Sequence, residues 1–160
     1  MSRYGMKAAA KYGEKLKEFR DISEAENYFL EYKDDWLKKI EAVSKNNSFF
    51  QSDYTVESLK RIEKWYFDLY EKDGFHELEL TQDEFERVMS IYFGEVVVRN
   101  NKDAKWLVEE YPFSKSKYEF LVNKGLVSMS IMNNFHDLCK KQNNKRKNLL
   151  FREYNRYFAG

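Results

Sequence analysis

The 160-residue chain contains one cysteine, one proline, six glycines and two histidines. A lone cysteine, Cys139, can close no internal disulfide and build no thiolate metal centre. Glycine and proline together fall well below their usual share of roughly 12%, which excludes collagen-like, low-complexity and Gly-rich phosphate-loop architectures. Long apolar runs are missing too. The longest aliphatic stretch is Val96-Val97-Val98, against the roughly 7–15 apolar residues of a secretory signal and the roughly 20 of a membrane span. The expected location is therefore the cytoplasm, with no membrane partner. Excess charge of one sign is also lacking: 28 Lys and Arg against 27 Asp and Glu give +1, so bulk charge directs the chain to neither nucleic acid nor membrane.

What the chain does have is apolar and aromatic material. Hydrophobic residues make up 42% and aromatic residues 18%, enough for a packed core and unlike a disordered chain. The length fits one domain over 1–160, with a helical N-terminal part over 1–50.

Periodicity gives the elements. A short basic helix is expected within 7–20. Ser23 and Glu26 have capping-box spacing, and Tyr28, Phe29, Tyr32, Trp36, Leu37, Ile40 and Val43 follow at nearly 3.6-residue intervals, ending at Asn46-Asn47. Thr55 opens a second helix through Leu69, stopped by Gly74. Residues 75–80 alternate and read as either a short strand or a connector. Thr81 and Glu84 form another capping box, opening a helix with Phe85, Val88, Met89, Tyr92 and Phe93 on one stripe; Gly94 is the expected terminator. Beyond it, Val96–Val98, Trp106–Tyr111, Tyr118–Val122 and Leu126–Met129 read as four strands, joined by spacings too short for parallel crossovers. Residues 131–141 and 147–158 return to a helical pattern. The expected fold class is α+β: N-terminal helices on a small antiparallel sheet of about four strands, with C-terminal helices.

Recognisable catalytic chemistry is sparse. His76 and His136 are far apart and fit no metal-ligand spacing, so no metal and no cofactor are expected. Cys139 near Lys140 and Lys141 reads as a packing residue more readily than as a nucleophile. Neither a Gly-Lys-Ser/Thr loop nor a Gly-x-Ser-x-Gly turn occurs. No enzyme activity is expected, although a carboxylate-based hydrolase remains open if acids converge in a cleft. Glu95 and Arg99, on one face of the expected 96–98 strand, read as ion-pairing residues.

Charge is unevenly distributed. From Asp68 to Glu86 eight acids face Lys72 alone, and from Lys140 to Arg156 seven bases face Glu153 alone. Such blocks can be solvated faces or can pair with each other. Exposed, the acidic block suits a basic protein partner, and with exposed aromatics as anchors the expected contact residues are Trp65, Tyr70, Glu71, Asp73, Glu77, Glu79, Asp83 and Glu84. The alternative is nucleic-acid binding through Lys140, Lys141, Lys145, Arg146, Lys147, Arg152 and Arg156, interleaved with Tyr154 and Tyr157.

The stretch Ile91-Tyr92-Phe93-Gly94-Glu95-Val96-Val97-Val98-Arg99-Asn100, followed by Trp106, resembles a motif of small uncharacterised bacterial proteins: aromatic-x-Gly-Glu-aliphatic-x-x-Arg, a turn, then Trp. Several of these resemble immunity proteins of polymorphic toxin systems. The similarity covers about residues 81–158. It implies a fold-making role for Gly94 and Trp106, and a function as an immunity or inhibitor protein that masks a toxin or effector.

Overall fold

A computed structural model describes residues 3–132, 134–141 and 147–160. The elements are α1 (Arg3–Glu14), α2 (Ile22–Ser44), α3 (Ser58–Lys72), a 3-10 turn (Phe75–Leu78), α4 (Gln82–Asn100), β1 (Ala104–Glu110), β2 (Tyr118–Lys124), β3 (Val127–Ser130), a second 3-10 turn (Leu138–Lys141) and α5 (Leu149–Tyr157). The α+β class holds, with three strands among the described residues rather than four.

Local chemistry sets the helix ends. Asp21, rather than Ser23, caps α2, its carboxylate accepting from Glu24 N at 2.9 Å. Thr81 and Glu84 form the reciprocal capping box of α4. At the start of α3 the Thr55 hydroxyl accepts from Ser58 N at 3.2 Å. Asp73 takes the left-handed position that ends α3 (φ 52°), and Gly74 N then donates to Leu69 O at 2.8 Å.

The main departure from expectation lies after Gly94. Residues 96–98 continue α4, and Gly94 sits inside that helix. From Phe85 to Val97 nearly every α4 residue is buried, because α2, α3 and the sheet pack around it. A helix enclosed on all sides needs no polar stripe, and tertiary burial overrides the β preference of three valines. Gly94 serves close approach instead of termination: a Cβ there would overlap the indole of Trp106. That indole stacks on Phe120 at 4.5 Å, and Phe120 stacks on Phe29 of α2 at 5.2 Å. Glu95 lies beside this contact, accepting from Trp106 Nε1 at 3.1 Å and Arg99 Nε at 3.2 Å. Its pairing with Arg99 is an i,i+4 helix contact rather than a same-face strand contact.

The sheet is antiparallel in the order β1-β2-β3. Trp106 pairs with Val122 and Val108 with Phe120 across one ladder, and Lys124 pairs with Val127 across the other. Gly125, at φ +61°, makes the tight β2–β3 turn. α1 docks near the β1–β2 connection, where Tyr111 donates to Ala9 O at 2.9 Å and Gly13 lies against Ser114. Where a helix is expected over 131–141, the described residues form turns and the short Leu138–Lys141 3-10 element, anchored by buried Ile131, Phe135 and Leu138.

Candidate functional site

The acidic segment is threaded by three apolar anchors. Phe75, Leu80 and Phe85 are buried, which turns His76, Glu77 and Glu79 outward. Glu79 occupies a left-handed position (φ 57°) that ends the 3-10 turn and brings the chain back toward α2. Glu79, Leu80 and Glu84 thereby face Tyr32, Asp35, Trp36 and Lys39 of α2 across a groove of about 440 Å³. Tyr32 and Trp36, one helical turn apart, are half-buried, with rings edge to face at 6.1 Å. Burial pushes the Tyr32 phenol pKa up. The result is an aromatic groove wall with three carboxylates and one lysine around it.

The structure divides the expected contact residues. Glu79 and Glu84 line the groove, while Asp83, on the next position of α4, belongs to a second cluster. Tyr70, Glu71, Asp73 and Glu77 are exposed at the end of α3 and on the following turn. Trp65 is a correction: at 3% exposure it is a core residue, stacked on Phe50 and edge-on to Phe85, so it cannot anchor a partner. Sequence reasoning missed Tyr32, Asp35, Trp36 and Lys39. Tyr32 and Trp36 fall on the apolar stripe of α2, and the adjacent Asp34-Asp35 pair is the available signal that this stripe has an acidic border.

The second cluster joins α3, α4 and the segment before α5. Glu86 is 3% exposed. Its Oε2 accepts from Tyr66 OH at 2.6 Å and Gln82 Nε2 at 3.1 Å, and its Oε1 accepts from Asp137 N at 3.1 Å. Burial, and then the adjacent Glu86 carboxylate, push the Tyr66 phenol far above its ordinary range. Cys139 sits behind it, its backbone N donating to Tyr66 OH at 3.1 Å and its Sγ accepting from Gln82 at 3.1 Å, so the thiol is a network and packing residue. His136 Nδ1 lies 3.4 Å from Asp83 Oδ1 and 3.7 Å from Glu86 Oε1. The other Asp83 oxygen pairs with Arg87 at 2.7 Å. These three ligand-bearing groups, two from one turn of α4 and a histidine about fifty residues further along, could hold a metal ion; His76 is exposed and apart from them.

Of the basic segment, Lys140, Lys147, Arg152 and Arg156 lie among the described residues. Lys140 is exposed and paired with Asp137 at 3.3 Å. Lys147, Arg152 and Arg156 are exposed, with Arg156 over the Tyr157 ring at 5.1 Å. Tyr154 is buried, its hydroxyl accepting from Asn101 at 3.0 Å, and so is unavailable for stacking on a base. Lys145, Arg146 and the side chain of Lys141 lie outside the described residues.

The family model described as "Uncharacterised protein YwmA" matches residues 18–158. The chain belongs to this family. "Uncharacterized protein YwmA" of Bacillus subtilis (strain 168) is 30% identical over 124 residues, covering 76% of this chain and 77% of that protein. No solved structure matches the chain. The YwmA match takes in α2 through α5, both acidic sites and the Gly94–Trp106 contact, and leaves α1 outside. Among the described residues, no helix is long and apolar enough to cross a membrane.

Proposed function

We propose that the protein is a non-enzymatic binding protein whose acidic aromatic groove takes a basic side chain of a protein partner. The observation that carries this reading is the groove itself: Glu79 and Glu84 from the acidic block meet Asp35, Tyr32 and Trp36 of α2 in one concavity. Aromatic faces attract a lysine or arginine head group, and carboxylates at the rim supply the complementary charge. Partly buried Trp and Tyr are also favoured anchors for a partner. Masking of a toxin or effector is the physiological form of this reading, and the resemblance of the Gly94–Trp106 region to immunity-type proteins supports it.

The test is affinity capture with the full chain from its native cells after nuclease treatment, comparing wild type with the double variant Asp35→Lys/Glu79→Lys. Both positions are exposed, so the fold is expected to persist. A stoichiometric protein partner should be retained by wild type and bound roughly ten-fold or more weakly by the variant. Equal binding by the two proteins would move the contact surface away from the groove. Partners lost on nuclease treatment would favour the basic segment instead.

A further inference from the structure

We propose that Asp83, Glu86 and His136 form a binding site for a divalent transition-metal ion of the zinc type, which clamps the segment before α5 onto α4. The proposal is independent of the groove and of any partner.

Asp83 and Glu86 are one helical turn apart on α4, so both carboxylates project from the same face of that helix. The fold then lays His136 over them. Its Nδ1 stands 3.4 Å from Asp83 Oδ1 and 3.7 Å from Glu86 Oε1, and the three ligand atoms all fall within 4.8 Å of one another. Both measured distances exceed the roughly 3.2 Å limit of a good N–H···O hydrogen bond. The separation between neighbouring ligands around a tetrahedral ion is about 3.3–3.6 Å for metal–ligand bonds of about 2.0–2.2 Å; the first distance falls within it and the second just above it. One His and two carboxylates are suitable zinc ligands, and they leave a fourth position for water.

Two further features support a cation there. Glu86 is buried, and its carboxylate can accept about four hydrogen bonds. Tyr66, Gln82 and the Asp137 backbone fill three of these positions with neutral donors. The remaining acceptor capacity is on Oε1, beside His136 Nδ1, and a buried carboxylate supplied only with neutral donors is stabilised by a positive charge. On the other side of the imidazole, Nε2 lies 3.4 Å from Asp137 Oδ2, just beyond the same hydrogen-bond limit, so a shift of a few tenths of an ångström would close that contact when the ion binds. A carboxylate behind the non-ligating nitrogen is the usual outer partner of a metal-bound histidine, orienting the ring and selecting its tautomer. The hydrogen bonds to Glu86 hold the second ligand in the same manner. His136 and Asp83 are about half exposed, which gives the ion a route from solvent.

The experiment is calorimetric titration of the chelator-stripped full chain with Zn²⁺, repeated with His136→Ala, Asp83→Asn, Asp137→Asn and His76→Ala. The two ligand substitutions are at solvent-accessible positions, and urea unfolding checks that each variant remains folded. The proposal expects one Zn²⁺ per chain and a Tm that rises with Zn²⁺ concentration. Binding should be lost in His136→Ala and Asp83→Asn, weakened roughly 10- to 100-fold in Asp137→Asn, and kept in His76→Ala. Nitrogen NMR of the imidazoles should show Zn²⁺ on Nδ1 of His136. Absence of stoichiometric binding would overturn the proposal, as would unchanged affinity in His136→Ala. So would a His136 ring that stays a doubly protonated imidazolium, ion-paired to Asp83 and Glu86, in excess Zn²⁺.

Discussion

Glu63 of α3 and Glu86 of α4 are both buried at 3% exposure, and both fasten the C-terminal part of the chain to the helical layer. Their surroundings differ. Glu63 faces the start of α5, where Asn148 offers no side-chain cap and takes a left-handed conformation. The Glu63 oxygens accept from Leu149 N at 3.1 Å and Leu150 N at 3.0 Å. A carboxylate from a neighbouring helix thus fills the capping role and meets the positive end of the α5 dipole. Glu86 has no such helix end opposite it; a phenol, an amide and one backbone N–H surround it, with a histidine beyond. The comparison shows two ways to keep an acid inside a core. At a helix N-terminus, orphan backbone donors satisfy it; among side chains, a hydroxyl and an amide do so together with one backbone N–H.

The largest expected effect is at the first junction. Glu63→Ala strands two backbone donors at the buried start of α5, and each unmet donor costs about 1–3 kcal/mol, so urea unfolding should show a loss of about 3 kcal/mol. Hydrogen exchange should place that loss in α5 amides. Glu86→Ala should cost less, about 2 kcal/mol, because the Tyr66 hydroxyl and Gln82 amide can reorient toward water or other acceptors. Its increased exchange should centre on 137–141. If the α4 variant proved the more damaging, or if both variants released the same amides, the two junctions would not be distinct.

The smallest effect concerns pH. Burial raises the Glu63 pKa above its ordinary 4.5, outweighing the lowering by backbone N–H groups and by Arg152. The folded state therefore holds this proton more tightly than the unfolded chain does. Its contribution to stability is full below the ordinary glutamate range and is lost as pH rises through the raised folded-state value. Glu63→Gln should flatten the part of the stability curve above the ordinary glutamate value of 4.5, and an unaltered slope would show that Glu63 titrates normally.

Much of the helical layer was legible in the sequence because its signals are local. Thr81 and Glu84 meet three residues apart whatever surrounds them, and the apolar stripes of α2 and α3 follow from one-sided burial. The β2–β3 turn was legible from Asn123-Lys124-Gly125 for the same reason, since Gly125 supplies the positive φ itself. Val96–Val98 was misleading because a fully enclosed helix segment and a buried strand look alike over three residues. Trp65, expected as an exposed anchor, lies instead on the buried face of α3, which is wide enough to take its ring between Phe50 and Phe85. In the candidate sites, the acidity of Glu79, Asp83 and Glu84 could be read directly, whereas their assignment to separate clusters could not.

The sequence by itself determined the α+β class, the capped helices, the antiparallel pairing after Asn101 and the acidic character of the 68–86 segment, because each depends on residues within a few positions of one another. Only the tertiary structure decided that Gly94 makes room for an indole, that Tyr32 and Trp36 face Glu79 and Glu84, and that His136 closes over Asp83 and Glu86. Those contacts join residues about 12 to 50 positions apart. Their geometry comes from the way α2, α3, α4 and the segment before α5 bury a shared core, and spacing along the chain does not encode it.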